Sequence, residues 1–294
     1  MRVIALLGAG RGWHSARLTE AFANRGARAV RLPFASCAMT PSGPRLGSAE
    51  EAPSPRAVLV RSIPAGSLEQ VTLRLGLLHA LEAGGTPVVN GARAIERCVD
   101  KSATSFLLAR AGVPTPPAWT VESREAAEAI AATEAANGYR LVAKPLFGAQ
   151  GKGLRLVSRP DELPPAEEVG GVWHLQRYVG RESSGWHDYR VFVVAGRPVA
   201  AMARHGTGWI TNIRQGARPA AAPVSGPLAD LAVAAADAVG ALYAGVDLIE
   251  AADDGGLAVL EVNSMPAWQG LQGVSEAVDI AGELAAAVLA RADA

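Results

Sequence analysis

Cysteine is scarce in this chain, which has only two among its 294 residues. Cys37 and Cys98 lie far apart, and neither belongs to a CxxC pair. This spacing excludes a disulfide framework, a zinc knuckle and a thioredoxin-type redox pair. We therefore expect a protein of the reducing cytoplasm.

An excess of charge of either sign is also absent. Lys and Arg together number 28, as do Asp and Glu, so the formal net charge is zero. A balanced chain has no broad electrostatic attraction for nucleic acid or for an anionic membrane. We expect a small-molecule partner, no nucleic acid and no membrane.

Long apolar runs are missing as well. No stretch reaches the roughly 18 uninterrupted apolar residues that a membrane-spanning helix requires. The first apolar run, residues 3–7, is shorter than the hydrophobic core of a signal peptide and is followed by glycines. We interpret it as a buried first strand of a soluble protein.

Several common catalytic motifs do not occur. The chain has neither an HExxH nor a GxSxG motif, which disfavours zinc-enzyme and hydrolase functions. Gly8, Gly10 and Gly12 follow the first strand, but Trp13 stands where a dinucleotide fingerprint needs its third glycine. We predict a tight strand-to-helix turn that faces a substrate, with nicotinamide or flavin binding as the alternative.

The length of the chain suits about two compact units of roughly 100–200 residues each. Strand and helix patterns alternate up to about residue 95, which predicts a parallel sheet, whereas segment 38–55 is expected to be a surface loop. The predicted strands cover residues 3–7, 29–32, 58–61, 88–89, 141–144, 154–156, 173–178, 189–194, 198–203, 244–250 and 257–262. The predicted helices cover residues 15–25, 68–82, 94–111, 122–136, 227–241 and 280–290.

A glycine-rich loop at residues 148–153 connects two predicted strands shortly after Lys144. Glycines allow backbone N–H groups to approach phosphate oxygens, and a nearby lysine supplies the opposite charge. No Gly-Lys-Ser/Thr sequence opens a helix here, so the loop is not a Walker A motif. Phosphate binding and a purely structural hairpin turn both remain open.

Oxygen-bearing side chains cluster near the carboxyl end. Glu261 and Asn263 alternate with apolar residues, so both project from one strand face, and Asp247 is expected on the neighbouring strand. Hard oxygen ligands of this kind suit Mg²⁺ that bridges ATP phosphates. The alternative is three polar residues at the surface ends of strands.

These motifs follow one another in a recognisable order. They are Lys101, Lys144, the loop 148–153, the segments 174–179 and 188–190, Arg204, Asn212 and the segment 261–263. From about residue 88 to the end, the chain resembles the RimK-type branch of the ATP-grasp superfamily. The resemblance implies an α/β fold of α+β layers with three parts: an N-terminal Rossmann-like pre-ATP-grasp domain (1–95), a central lid subdomain (96–180) and a C-terminal mixed-sheet subdomain (181–294).

The resemblance also implies roles for individual residues. Arg204, Lys144 and Asn263 would act in catalysis, and Asp247, Glu261 and Asn263 would hold Mg²⁺ or Mn²⁺. Contacts to ATP would come from Lys101, Lys144, Gln150, Gly151, Gly153, Gln176, Arg177, Tyr178, Val179, Glu182, Asp188 and Asn212. The chain departs from the family at Arg177, where relatives carry an acidic residue, and at Ile210, where an arginine is common. The glycine-containing segment 205–216 is expected to be a loop over the site.

A narrower resemblance extends toward the amino terminus. The segments 61–70, 94–101 and 263–271 are similar to those of tetrahydromethanopterin:glutamate ligases. This similarity implies an ADP-forming acid–amino-acid ligase that adds L-glutamate to a small carboxylate acceptor of the tetrahydromethanopterin type, in a homo-oligomer. A methanofuran-type cofactor and a protein C-terminal tail are the alternative acceptors.

Three residues are assigned to the substrate on the same basis. Arg61 would pair with a carboxylate of the acceptor, or else form a structural ion pair. Trp268 would cover a flat ring of the acceptor, or else pack in the interior. Arg190, on the strand before Arg204, would support the site at which Arg204 stabilises the transferred phosphate.

Overall fold

The computed structural model describes residues 1–48, 54–148, 151–180, 185–251 and 255–294. The strands are β1 (Arg2–Leu7), β2 (Ala27–Leu32), β3 (Ala38–Thr40), β4 (Gly43–Arg45), β5 (Ala57–Val60), β6 (Val88–Val89), β7 (Ala118–Val121), β8 (Leu141–Lys144), β9 (Arg155–Val157), β10 (Trp173–Arg177), β11 (His187–Val194), β12 (Arg197–His205), β13 (Arg218–Ala221), β14 (Tyr243–Glu250) and β15 (Leu257–Asn263). The helices are α1 (Trp13–Ala23), α2 (Leu68–Ala83), α3 (Ala92–Val99), α4 (Lys101–Arg110), α5 (Arg124–Ala136), α6 (Ala166–Val169), α7 (Pro227–Val239), α8 (Gln269–Gln272) and α9 (Ile280–Asp293).

The first sheet is parallel, with the strand order β2-β1-β5-β6. Apart from Arg2, its central strands β1 and β5 are apolar because helices cover both faces. The predicted parallel α/β unit is thus confirmed. The expectation of a plain loop at 38–55 was wrong for its described part, since β3 and β4 form a short hairpin and Leu46 is buried against the sheet.

The central sheet is antiparallel, with the order β7-β10-β8-β9. Helix α5 covers one face through its small residues Ala127 and Ala131, which pack with Leu141 and Leu175. The other face is left for polar side chains of β8 and β10. The connection between β8 and β9 carries the glycine-rich loop, as predicted, although Gln150 lies outside the described residues.

The third sheet is a five-stranded antiparallel sheet with the order β13-β12-β11-β14-β15. Its central strand β11 alternates its contacts, because successive side chains point to opposite faces. Val191 and Val193 pack with α7, whereas Phe192 and Val194 belong to the cluster that holds α9. That cluster also contains residues of β1 and β5, so α9 packs between the first and third sheets.

The helix predicted at 94–111 is two helices, α3 and α4, because Asp100 interrupts it. Asp100 has extended backbone angles (φ −83°, ψ 105°), and its carboxylate accepts hydrogen bonds from the backbone N–H groups of Ser102 (2.8 Å) and Ala103 (3.2 Å). An aspartate in this position satisfies the unpaired donors of a new helix. As a result, Lys101 becomes the first residue of α4.

A buried asparagine joins the first and third sheets. The Nδ2 atom of Asn90 donates to the carbonyls of Tyr243 and Ser264, both at 2.7 Å, and its Oδ1 accepts from the Tyr243 N–H at 3.1 Å. The Tyr243 hydroxyl donates to the carbonyl of Val60 at 2.7 Å. Since buried polar groups are costly unless paired, these bonds specify how the two sheets meet.

The structure bears on two features that composition had raised, the apolar helices and the cysteines. Across the described ranges, no helix is long and apolar enough to cross a bilayer. Cys37 and Cys98 are both free thiols, as their spacing predicted.

Candidate active site

A cleft opens between the free face of the central sheet and the face of the third sheet that carries polar side chains. Most of the residues assigned to ATP, metal and catalysis line it. They are Lys101, Lys144, Gly151, Gln176, Arg177, Tyr178, Val179, Asp188, Arg204, Asn212, Asp247 and Glu261. Gly153 and Asn263 lie beside the cleft without lining it, and Gln150 and Glu182 lie outside the described residues.

Lys101 reaches the cleft because the break at Asp100 starts α4 there. Its Nζ donates to the carbonyls of Gly148 (3.0 Å) and Leu146 (3.4 Å), and lies 3.9 Å from Oε1 of Glu261. A lysine held between the glycine-rich loop and a carboxylate of the third sheet joins the two walls of the cleft. This position suits contact with a phosphate group.

Lys144 is the last residue of β8 and projects into the same space. Its Nζ donates to Oε1 of the buried Gln176 on β10. Burial is the main influence on this ammonium group and lowers its pKa to about 8, with Glu261 opposing the shift and Lys101 adding to it. The buried ammonium group of Lys144 would gain from contact with an anion, because an opposite charge stabilises its protonated form.

His174 lines the cleft, and it belongs to the segment 174–179, although the sequence predicted no role for it. Its Nδ1 lies 2.8 Å from the Thr120 hydroxyl, and burial, with the charges of Lys144 and Lys101, lowers the pKa of its ring to about 4. The imidazole is therefore neutral at physiological pH. Because His174 and Gln176 alternate on β10, strand periodicity could have placed both on one face. Thr104, Ser105, Trp209 and Thr211 also line the cleft and were not predicted.

Arg177 stands where relatives carry an acidic residue, and although this residue lines the cleft, its guanidinium group bonds to α5. It forms two hydrogen bonds to Glu134 of α5, at 2.7 and 3.1 Å, and its guanidinium carbon lies 3.7 Å from the centre of the Tyr139 ring. The side chain therefore stabilises the central sheet against α5. Any nucleotide contact from this residue is left to its backbone.

Two loops meet across the mouth of the cleft. Gly151 has a positive φ of 68°, and a Cβ atom there would overlap Oδ1 of Asn212 and come within 2.8 Å of Gln215. Only glycine allows this close approach without strain. Gly151 thus lies against the segment 205–216, next to Asn212.

The carboxylates of the third sheet face each other across β14 and β15. Asp247 pairs directly with Glu261, and Asn263 pairs with Gly245, so all three predicted metal-binding side chains lie on one face of the sheet. Nδ2 of Asn263 donates to the Gly245 carbonyl at 3.3 Å. The hairpin geometry predicted for this set is therefore present.

An ion-pair network surrounds Asp247. Its Oδ1 and Oδ2 each accept from Arg190 at 2.7 Å, and Nη2 of Arg204 lies 3.1 Å from Oδ2. Arg204 in turn donates to both carboxylate oxygens of Asp188, with Nε 2.7 Å from Oδ1. Burial opposes the charge on Asp247, but the two arginines outweigh it and hold the pKa of this carboxyl below its usual range. Burial raises the pKa of the Asp188 carboxyl above its usual range, and Arg204 opposes that shift.

The oxygen donors fit a magnesium ion, with a restriction at one ligand. Glu261 in the cleft and Asn263 beside it offer hard oxygen atoms, which Mg²⁺ prefers. Among the described residues no three Asp, Glu, His or Cys side chains cluster as a metal site, so the Asn263 amide would be needed. A carboxylate accepts about four hydrogen bonds, and Asp247 already accepts three, which leaves one position on Oδ1.

The structure corrects the substrate role assigned to Trp268. The side chain is fully buried, packs edge-on against Phe192 and His14, and lies under the Arg61 guanidinium at 4.6 Å. A ring without exposed surface cannot stack on an acceptor, so the alternative of interior packing holds. Arg61 also donates to the Pro266 carbonyl at 3.2 Å, and its pairing with a substrate carboxylate stays a prediction.

Comparison with known proteins identifies the family of the chain. A model of the RimK-like ATP-grasp domain matches residues 98–288. The chain belongs to the RimK-like ATP-grasp family. It is 37% identical over 217 residues to a tetrahydromethanopterin:alpha-L-glutamate ligase of Methanococcus maripaludis, with 72% of each chain covered.

Solved structures share the ATP-grasp fold over nearly the whole chain. A RimK domain ATP-grasp protein from Sphaerobacter thermophilus is 27% identical, with a TM-score of 0.72 and 98% and 100% of the two chains covered. The ATP-grasp ligase PsnB, solved with a minimal precursor, Mg and ADP, is 23% identical, with a TM-score of 0.73 and 99% and 98% covered. The predicted fold and family are confirmed.

Proposed function

We propose that this RimK-like ATP-grasp protein is an ADP-forming carbon–nitrogen ligase that joins L-glutamate to a small carboxylated cofactor of the tetrahydromethanopterin type. The observation that carries the proposal is the meeting of Lys101, Lys144 and Arg204 with the oxygen donors Glu261 and Asp247 in one cleft. Cations and hard oxygens in this arrangement suit the transfer of a phosphoryl group.

The reaction uses ATP because a carboxylate is a poor electrophile in water. A carboxylate oxygen of the acceptor attacks the γ-phosphorus of ATP, and the bond to the bridging oxygen breaks, which gives ADP and an acyl phosphate. The amine of glutamate then attacks the acyl carbon. Phosphate leaves, the amine loses a proton, and an amide remains.

The side chains of the cleft divide the work of the first step. Lys101, at the start of α4, and Lys144, at the end of β8, would hold the phosphates of ATP. Arg204, positioned by Asp188, would neutralise charge on the transferring group through its planar guanidinium. Asp247, Glu261 and Asn263 would hold Mg²⁺ or Mn²⁺, which supplies further charge neutralisation at the phosphate oxygens.

The remaining predicted contacts position the nucleotide and exclude water. Residues 176–179, at the carboxyl end of β10, line the cleft, and an adenine would lie against their backbone. The close approach of Gly151 to Asn212 would cover the phosphate end of that nucleotide. Exclusion of water protects an acyl phosphate from hydrolysis.

The nature of the acceptor rests on similarity to named relatives. The tetrahydromethanopterin:alpha-L-glutamate ligase of Methanococcus maripaludis shares 37% identity over 72% of the chain, which supports glutamate and a one-carbon carrier as the substrates. A nucleotide-binding protein without catalysis is disfavoured because the predicted metal ligands are all present on one sheet face.

The proposal is tested by phosphate release and product mass. The protein is incubated with MgATP, L-glutamate and a panel of acceptors: tetrahydromethanopterin-type, methanofuran-type and a peptide ending in glutamate. We expect ADP, phosphate and an acceptor heavier by one glutamyl residue with the first acceptor only. AMP as product would overturn the acyl-phosphate route, and turnover only with another acceptor would overturn the substrate assignment.

A further inference from the structure

Strand pairing places charged side chains in a row across four strands of the third sheet. Arg204 on β12 lies opposite Asp188 on β11, Arg190 on β11 lies opposite Asp247 on β14, and Asp247 lies opposite Glu261 on β15. Asp188 and Arg190 are two residues apart, so they share a sheet face. The side chain of Arg190 is therefore held in register with the predicted metal ligand by the sheet itself.

Arg190 occupies Asp247 more completely than Arg204 does. It donates from Nε to Oδ1 and from Nη2 to Oδ2, both at 2.7 Å, in the bidentate geometry that is strongest for arginine and carboxylate. Arg204 adds a single contact at 3.1 Å and directs its two shorter bonds to Asp188. The charge of Asp247 is thus neutralised chiefly by Arg190.

The charges in the cleft also disfavour metal binding in the absence of nucleotide. Around the predicted metal ligands, the described cations Lys101, Lys144, Lys152, Arg190 and Arg204 outnumber the carboxylates Asp188, Asp247 and Glu261. A divalent cation that enters without nucleotide therefore meets an excess of cationic side chains. Nucleotide phosphates would reverse that balance.

We propose that Arg190 is a positioning residue. It holds the Asp247 carboxylate in contact with Arg204, and it makes the binding of a divalent cation depend on bound nucleotide. This role rests on the proposed function, since it concerns the metal used in phosphoryl transfer. When no nucleotide is present, the guanidinium of Arg190 competes with the metal for the Asp247 oxygens. With nucleotide bound, added negative charge favours the metal.

The proposal is tested by Mn²⁺ titration of the nucleotide-free protein, with free Mn²⁺ measured by electron paramagnetic resonance. We expect Arg190→Gln to bind Mn²⁺ at least tenfold more tightly than wild type, because Asp247 is released. The matched control is Arg197→Gln, which removes one exposed arginine from the neighbouring strand and should leave Mn²⁺ affinity unchanged. A purely structural role for Arg190 predicts weaker binding or no change.

A double variant assigns the gain to Asp247. In Arg190→Gln with Asp247→Asn, the tighter Mn²⁺ binding should disappear, since the released ligand is no longer charged. Addition of ADP should tighten Mn²⁺ binding to wild type at least tenfold, and to Arg190→Gln by a smaller factor. Arg190→Lys, which keeps the charge but cannot bridge both oxygens, should lie between the two and provides a test if Arg190→Gln does not fold.

Two results would overturn the proposal: Mn²⁺ affinity in folded Arg190→Gln equal to that of wild type, or a gain that persists when Asp247 is also replaced. Neither measurement uses an acceptor or glutamate. A failure to form the amide would therefore count against the proposed function alone, and a failure of the Mn²⁺ result against Arg190 alone.

Discussion

Lys144 gives the sharpest test of the cleft as a phosphate site. Burial lowers the pKa of its ammonium group to about 8 in the nucleotide-free protein. A bound phosphate stabilises the charged form, so ATP binding raises this pKa and is linked to proton uptake. Affinity for ATP should therefore be constant below pH 8 and should fall as the pH rises above 8.

The size of the effect follows from the fraction of Lys144 that is protonated. With a pKa of about 8, this fraction falls about tenfold between pH 7 and pH 9, which corresponds to about 1.4 kcal/mol of binding free energy. Isothermal titration calorimetry with ATP across pH 7–9.5 measures the loss of affinity directly. Repeating it in buffers of different ionisation enthalpy gives the number of protons taken up at pH 9.

Two variants separate Lys144 from other titrating groups. Arginine stays protonated over this range, so Lys144→Arg should bind ATP with little dependence on pH. Lys152→Gln removes an exposed lysine of the neighbouring loop but keeps Lys144, and it should retain the wild-type slope. A flat wild-type profile, or the same slope in Lys144→Arg, would refute the assignment of Lys144 to the phosphates.

Three further outcomes are expected from single substitutions. Trp268→Ala should lower the free energy of unfolding in urea by about 3–5 kcal/mol and leave the Kd for ATP unchanged, because the ring is interior packing. Gly151→Ala should weaken ATP binding by roughly tenfold in calorimetry, since the positive φ alone costs about 1–2 kcal/mol. Glu261→Ala should reduce turnover by on the order of 10³ with an unchanged melting temperature, because it removes charge at the phosphate site. Normal turnover in a folded Glu261→Ala variant would contradict that role.

The sheets could be predicted because their signal is local. The apolar runs of β1 and β5 reflect strands covered on both faces, and the alternation around Glu261 reflects a strand with one polar face. The strand patterns also place Lys144 and Arg204 near the carboxyl ends of β8 and β12. Lys101 differs, because it lies on a helix. The polar face of the third sheet could therefore be predicted from the sequence alone.

The break between α3 and α4 could not be predicted in the same way. The segment 94–111 has continuous helical character, and an aspartate inside it gives no strong stop signal. In the structure Asp100 leaves the helix because its carboxylate can bond two backbone N–H groups and start a second helix. The start of a new helix at Lys101 directs this side chain toward Glu261. A local capping interaction therefore determines the position of a cation in the cleft.

Roles that depend on a distant partner could be predicted least. Trp268 was assigned to the acceptor by residue type, yet its surroundings come from α1 and β11, which a local pattern does not report. Arg177 was assigned to the nucleotide, yet Glu134 lies on a helix 43 positions earlier and accepts its guanidinium. In both cases a long-range contact decided the orientation of the side chain.

Asp247 shows why residue type alone does not determine a metal ligand. A carboxylate on the correct strand face has the right chemistry for Mg²⁺, but its oxygens are available only as far as other donors leave them free. Arg190, 57 positions away in sequence and directly opposite in the sheet, accounts for two of the three bonds that Asp247 accepts. Because the sheet fixes that register, the same antiparallel pairing that brings Asp247 to Glu261 also brings it the competing cation, and affinity for the metal is a property of the strand pairs.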